Sequence, residues 1–157
     1  SFLIIGSQNA FKYKEIFPLI KEDKIWTGYN MVKQFLEPDG SIKKFGNICW
    51  FTNLTTRKRN EEIVLTKTYS ESMYPKYDNF DAINVDKVSD TPCDYFGVMG
   101  VPITFLDKYN PEQFEIIDIN PHFFAIVEKG LPKPKQLTLH SVGQKDPYAR
   151  ILIKRKK

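Results

Sequence analysis

The chain has 157 residues, 41% of them apolar and 14% aromatic, enough for a domain-sized core and too many for a disordered tail. Cys49 and Cys93 are its only cysteines and His122 and His140 its only histidines, which excludes a disulfide scaffold and a four-cysteine zinc site and leaves little for a histidine-based metal centre. The net charge of +4 is uneven: residues 129–157 hold nine Lys/Arg against Asp146 alone, so this end is either a polyanion-binding surface or a solvated tail.

In chain order, Phe2-Leu3-Ile4-Ile5-Gly6 is an apolar run closed by glycine, the pattern of a parallel-sheet strand buried on both faces. Such a strand needs neighbours on each side, yet the chain starts at Ser1 without an initiator Met. A piece of a longer protein, cut inside an α/β domain, is the expectation. No secretory signal is expected, no apolar run is long enough to span a membrane, and a reducing cytoplasm is the expected location. Asn9 caps a helix with Tyr13, Ile16, Phe17 and Ile20 on one face, which Pro18 ends or kinks near Phe17, a short turn restarting there being the further alternative. A polar break leads to a short strand over 25–29. A turn at Glu37-Pro38-Asp39-Gly40 then precedes a strand over 47–54. Residues 1–54 therefore read as the end of a doubly wound α/β sheet.

Residues 55–62 are a charged connection. Short strands are expected over 63–66, 82–85 and 101–105 among turn residues, then over 114–117 and 123–127. Segments 136–142 and 148–154 alternate apolar and polar residues across Gly143-Gln144-Lys145-Asp146-Pro147, a hairpin signal. Residues 55–157 thus read as a mainly β, loop-rich region.

Long strings of the chain resemble a known family. They include Phe2-Leu3-Ile4-Ile5-Gly6, Tyr13-Lys14-Glu15-Ile16-Phe17-Pro18-Leu19-Ile20 and Gly46-Asn47-Ile48-Cys49-Trp50-Phe51-Thr52-Asn53-Leu54. Tyr74-Pro75-Lys76-Tyr77-Asp78-Asn79, residues 97–111 and residues 148–156 belong with them. Together they resemble the adenine-specific DNA methyltransferases of the EcoRI type. The resemblance implies a Rossmann-like catalytic domain, transfer of a methyl group from S-adenosylmethionine to adenine N6 in DNA, and a restriction–modification role. The family's glycine-rich cofactor loop and Asn-Pro-Pro-Phe catalytic tetrapeptide are absent. The chain therefore resembles the C-terminal part of such an enzyme, inactive and without bound cofactor on its own. Asn120-Pro121-His122-Phe123 approaches the tetrapeptide, but too little sequence follows it for a permuted enzyme, and a plain turn is the simpler reading.

The resemblance implies a place for two aromatics, and the residues themselves offer further site candidates. Trp50 and Phe51 stand on the strand beside the target-base pocket, where an aromatic stacks on an extruded adenine; core packing is the other reading for both. Arg57, Lys58 and Arg59 follow at the mouth of that sheet, as phosphate contacts or as a solvated loop. Lys76, Tyr77 and Asn79 combine an aromatic, a cation and an amide in one turn, suited to base readout or to pinning a loop. Lys133, Lys135, Arg150, Lys154 and Arg155 of the basic end would add salt-dependent affinity for DNA. The rival class is a non-enzymatic nucleic-acid-binding module, which the basic end would equally serve. The expected partner is DNA in either case, with no membrane.

Overall fold

The computed structural model describes residues 1–120, 130, 137 and 149–157. The chain divides into two units, Ser1–Asn60 and Glu61–Lys157, built on small sheets with few helices.

The first unit contains β1 (Leu3–Ser7), a 3-10 turn over Gln8–Lys12, α1 (Phe17–Lys21), β2 (Trp26–Thr27), β3 (Val32–Leu36) and β4 (Ile42–Thr52). The helix differs from the expectation. Ser7, not Asn9, caps the 3-10 turn, its hydroxyl accepting from the Asn9 amide. Pro18 falls in the first turn of α1 and opens the helix instead of ending it. A proline lacks an N–H and, inside a helix, clashes with the carbonyl four residues earlier, so it is tolerated in a helix's first turn, where its amide would have no helical partner.

β4 is the centre of this sheet. β1 and β2 pair with it on opposite sides and β3 along its first half, all antiparallel. β1 and β2 therefore run parallel to each other, joined by the helical segment, with β4 inserted between them. The run at 2–6 was expected to be buried on both faces of a parallel sheet. Its partner among the described residues is instead antiparallel β4, and Leu3, Ile4 and Ile5 are 55%, 56% and 41% exposed. The reason is position: β1 ends the sheet order, and the packed part of the sheet lies over β4, where Phe11 meets Phe51 edge-on at 5.3 Å.

β3 is a strand that the sequence reading did not mark, and β4 starts well before the 47–54 expectation. The Glu37-Pro38-Asp39-Gly40 turn joins them as a hairpin. Gly40 takes φ 84, the left-handed region that glycine enters without strain, and donates its amide to the Glu37 carbonyl.

In the second unit, β5 (Ile83–Asn84) lies parallel to β6 (Val98–Pro102); β8 (Arg150–Arg155) lies between β6 and β7 (Phe114–Ile119), antiparallel to both. Ile151, Leu152 and Ile153 of β8 are fully buried, as are Met99, Val101 and Phe114. The strand expected over 101–105 ends at Pro102, which has no amide to continue the ladder, and a 3-10 turn over Ile103–Asp107 puts Phe105 and Leu106 inside. Residues 63–66 form no strand: the Gln113 side chain accepts from the Ile63 amide at 2.9 Å and donates to its carbonyl at 2.8 Å, substituting for a partner strand. The expected strand over 123–127 lies outside the described residues, as does that over 136–142 apart from Leu137, which is buried. No helix among the described residues is long and apolar enough to cross a membrane.

Candidate nucleic-acid interface

Consecutive residues of a strand face opposite ways, so Trp50 and Phe51 cannot serve one pocket together. Phe51 is 7% exposed against Phe11, and a Cβ on Gly6 would come within 3.0 Å of its ring. It is a core residue. Trp50 faces the other way, half-buried, on the face that register gives also to Ile5 and Trp26. The Gly28 amide donates to the Trp50 carbonyl at 2.9 Å, and a Cβ at position 28 would sit 2.7 Å from Cβ of Trp50. Glycine at 28 is what lets this chain segment lie against the tryptophan.

Of the cations at 57–59, only Arg57 is exposed. The Lys58 ammonium donates to the Tyr29 carbonyl at 3.0 Å. Arg59 is turned inward: its guanidinium stacks 3.8 Å from the centre of the Trp26 ring and pairs with Asp23, and its side chain is 9% exposed. Trp26 in turn donates from Nε1 to the Leu54 carbonyl at 2.9 Å. Arg59 thus ties the segment after β4 back onto β2. An arginine stacked on a tryptophan with a carboxylate beside it was not legible from Arg57-Lys58-Arg59 as a charge cluster. The signal lies in Asp23 and Trp26, distant in sequence.

The turn at 74–79 splits in the same way. Lys76 and Asn79 are exposed, but Tyr77 is 5% exposed and packs with Ala82, Leu137 and Leu152. Its hydroxyl donates to Asn84 Oδ1 at 2.7 Å. Burial pushes the Tyr77 phenol well above its ordinary range, against the opposing pull of the nearby Arg150 cation. Tyr74 likewise donates to the Asp90 carbonyl at 2.7 Å, and its phenol is also raised, first by desolvation and then by Asp90. Two tyrosines of the turn pin it to the core, and the residues between and after them project outward.

Arg150 belongs to that core network. Its Nε donates to Asn84 Oδ1 at 3.2 Å, its guanidinium lies 3.9 Å from Asp86, and Asn84 Nδ2 donates to Asp86 at 2.7 Å. Lys154 is exposed, and the Arg155 guanidinium lies 5.3 Å from the centre of the Phe96 ring. Lys133 and Lys135 lie outside the described residues, as do Pro121, His122 and Phe123 of the tetrapeptide-like string. Asn120 of that string is described and buried, with its backbone N–H donating to the Arg150 carbonyl. Among the described residues no group of three His, Cys, Asp or Glu side chains could hold a metal ion.

Chemically, the first unit offers a half-buried Trp50 suited to stacking and an exposed Arg57 suited to a phosphate, and the second offers exposed Lys76, Asn79 and Lys154 suited to phosphate and base-edge contacts. A family model described as adenine-specific methyltransferase EcoRI matches residues 1–156. The chain is 45% identical over 176 residues to the type II methyltransferase M.EcoRI of Escherichia coli, covering 99% of this chain and 50% of that protein. It is 36% identical over 183 residues to the type II methyltransferase M.MpnI of Mycoplasma pneumoniae, covering 99% and 56%. A third relative, M.MgeORF184P of Mycoplasma genitalium, is 34% identical over 179 residues, covering 98% and 56%. The chain spans about half the length of the curated relatives it matches. No solved structure matches it.

Proposed function

The chain belongs to the family of the adenine-specific methyltransferase EcoRI, and we propose that the whole protein methylates adenine N6 in duplex DNA with S-adenosylmethionine, as a type II restriction–modification enzyme of the cytoplasm. The observation that carries this reading is the family match across residues 1–156. The parallel β1 and β2, joined by a helical segment with antiparallel β4 between them, support reading the first unit as the end of a Rossmann-like catalytic sheet. The exposed apolar edge of β1 then takes the next strand of that sheet in the whole protein. The second unit is the mainly β region that meets DNA.

In this reading Trp50 offers its ring to the extruded adenine, a stack worth about 1–3 kcal/mol that holds a base without choosing it. Phe51 supports the same strand from the core. Arg57, Lys76, Lys154 and Arg155 hold phosphates, joined by Lys133 and Lys135, and Asn79 reads a base edge, while Lys58 ties the segment to the Tyr29 carbonyl. Arg59, Tyr77 and Arg150 act behind these groups by fixing the segments that present them.

S-adenosylmethionine supplies the methyl group in the whole protein, but the described residues do not fit it. Gly6, Gly28, Gly97 and Gly100 are closed off by Phe51, Trp50, Tyr95 and Tyr77 of the chain itself, leaving no glycine-rich backbone cradle for the cofactor there. No part of the methyl-transfer step is assigned to this chain. The test is transfer of labelled methyl groups from S-adenosylmethionine to duplex DNA, by the protein of the whole reading frame and by the 157-residue chain. N6-methyladenine from the first and none from the second is the expected result. Label recovered in a cytosine, or no transfer by the whole protein, overturns the reading.

A further inference from the structure

β4 pairs with β1 only from Ile48 to Thr52 and with β2 only at Phe51 and Thr52, so its first six residues, 42–47, reach beyond both strands. At about 3.4 Å per residue this is an arm of about 20 Å, formed with β3 as a two-stranded ribbon. Phe35 and Phe45 meet edge-on at 5.3 Å and stiffen one face of it. The opposite face ends in the directly paired Leu36 and Ile42, 76% and 59% exposed. Lys33, Lys43 and Lys44 along the ribbon are exposed.

The turn's acids face its own donors. Glu37 accepts from the Ser41 hydroxyl at 3.1 Å and lies 3.6 Å from the Lys43 ammonium, and Asp39 accepts from the Ser41 amide at 2.8 Å. What the ribbon presents outward is therefore an apolar pair flanked by cations. A large apolar pair this exposed on a protruding arm marks a contact surface. Lysines along the edges of a ribbon oppose pairing with another strand, which argues against a second copy as the occupant.

We propose that the β3–β4 hairpin is a DNA-inserting arm, which rests on the DNA reading above. A two-stranded ribbon fits the major groove of duplex DNA, about 12 Å wide. Lys33 and Lys44 meet the phosphates along the groove walls, and Leu36 and Ile42 bury their side chains against base edges such as the thymine methyl. Glu37 and Asp39, held by Ser41 and Lys43, are kept from the phosphates.

The test is binding of a labelled duplex across a salt series by the 157-residue chain and its variants. L36S/I42S is expected to bind about tenfold or more weakly with an unchanged salt slope, the loss of roughly one buried leucine-sized contact. K33A/K44A is expected to lower the log–log salt slope by about two. Lys21→Ala, an exposed lysine on α1, should change neither. Both hairpin variants alter exposed residues, and an unchanged melting temperature shows that they fold. A parent that binds duplex while the hairpin variants bind equally well overturns the arm and leaves the DNA reading standing. No duplex binding by the parent overturns both. A parent dimer in sedimentation that L36S/I42S dissolves, with DNA binding unchanged, identifies the apolar tip as a self-contact and overturns the arm.

Discussion

In the first unit, β1 leaves Leu3, Ile4 and Ile5 between 41% and 56% exposed; in the second, Ile151, Leu152 and Ile153 of β8 are fully buried. The two runs are chemically alike, three consecutive aliphatic side chains in a strand. What separates them is place in the sheet. β8 has a hydrogen-bonded neighbour on each side, whereas β1 ends its sheet. Burial of a leucine-sized side chain is worth about 1.5–3 kcal/mol, so β8 contributes strongly to stability and β1 contributes little. An apolar run therefore states a requirement for cover, which one unit meets from its own residues.

The largest test of this difference is truncation on the two sheets. Phe114→Ala removes a fully buried ring that meets Phe105 edge-on at 5.3 Å, and should destabilise the second unit by roughly 3–5 kcal/mol. Ile4→Ser, at a 56% exposed position, should stay within about 0.5 kcal/mol. Thermal or urea melts of the chain measure both. Equal losses would mean that β1 is covered in solution and that the contrast between the sheets fails.

The same contrast explains how much could be read from sequence. The strand at 114–117 was legible because its alternation agrees with its burial, and the β5 region and the closing strand because their apolar, β-branched residues do; the hairpin expected across 143–147 was not, since β8 pairs with β6 on one side and β7 on the other. The α1 boundary was not: the helical spacing of Tyr13, Ile16, Phe17 and Ile20 is real, but Pro18 decides which side of it becomes helix. β3 escaped because Val32-Lys33-Gln34-Phe35-Leu36 holds two polar residues and a register shift, although the Pro-Asp-Gly turn beside it was a hairpin signal. At the site, residue type was legible and direction was not. Tyr77 and Arg59 look like surface groups in a turn and a charge cluster, and only the fold reveals that Asn84, Trp26 and Asp23 stand where they point inward.

Glycine substitutions sharpen the comparison at an intermediate size. A Cβ on Gly100 in β6 would press into Tyr77, with ring carbons at 2.9 Å. Gly100→Ala should cost about 1–3 kcal/mol, because the ring moves only by loosening its contact with Asn84 and the core. Gly46→Ala in β4 meets nothing within 4 Å and should leave the melting midpoint in place. A Gly100→Ala protein as stable as its parent would show that the Tyr77 pocket has slack.

Within the first unit, Arg59 and Arg57 separate structure from binding. Arg59→Ala removes a guanidinium stacked on Trp26 and paired with Asp23, and should lower stability by about 1–2 kcal/mol. Arg57→Ala, at an exposed position, should leave melting unchanged and reduce the salt slope of DNA binding by about one. The reverse pattern would exchange their roles.

The smallest effects depend on pH and run in opposite directions in the two units. Asp39 in the hairpin turn is held below the ordinary 3.8, chiefly by its side-chain hydrogen bond with Ser41 and then by the Ser41 amide. The fold favours its carboxylate, so that contribution is present above 3.8 and is lost as pH falls through the lower folded value. Tyr77 is raised above the ordinary 10.0 by burial, so the fold favours the neutral phenol. Its contribution is present below 10 and is lost as pH rises beyond it. Melts of parent, Asp39→Asn and Tyr77→Phe from acid to alkaline buffers separate the two. Asp39→Asn should flatten a shallow acid limb, and Tyr77→Phe should shrink the alkaline loss without abolishing it, since Tyr74 and Tyr95 are raised by burial in the same direction. An alkaline limb in Tyr77→Phe that superimposes on the parent's would mean that water reaches the Tyr77 hydroxyl, and the closed core that distinguishes the second unit from the first would then be open at that point.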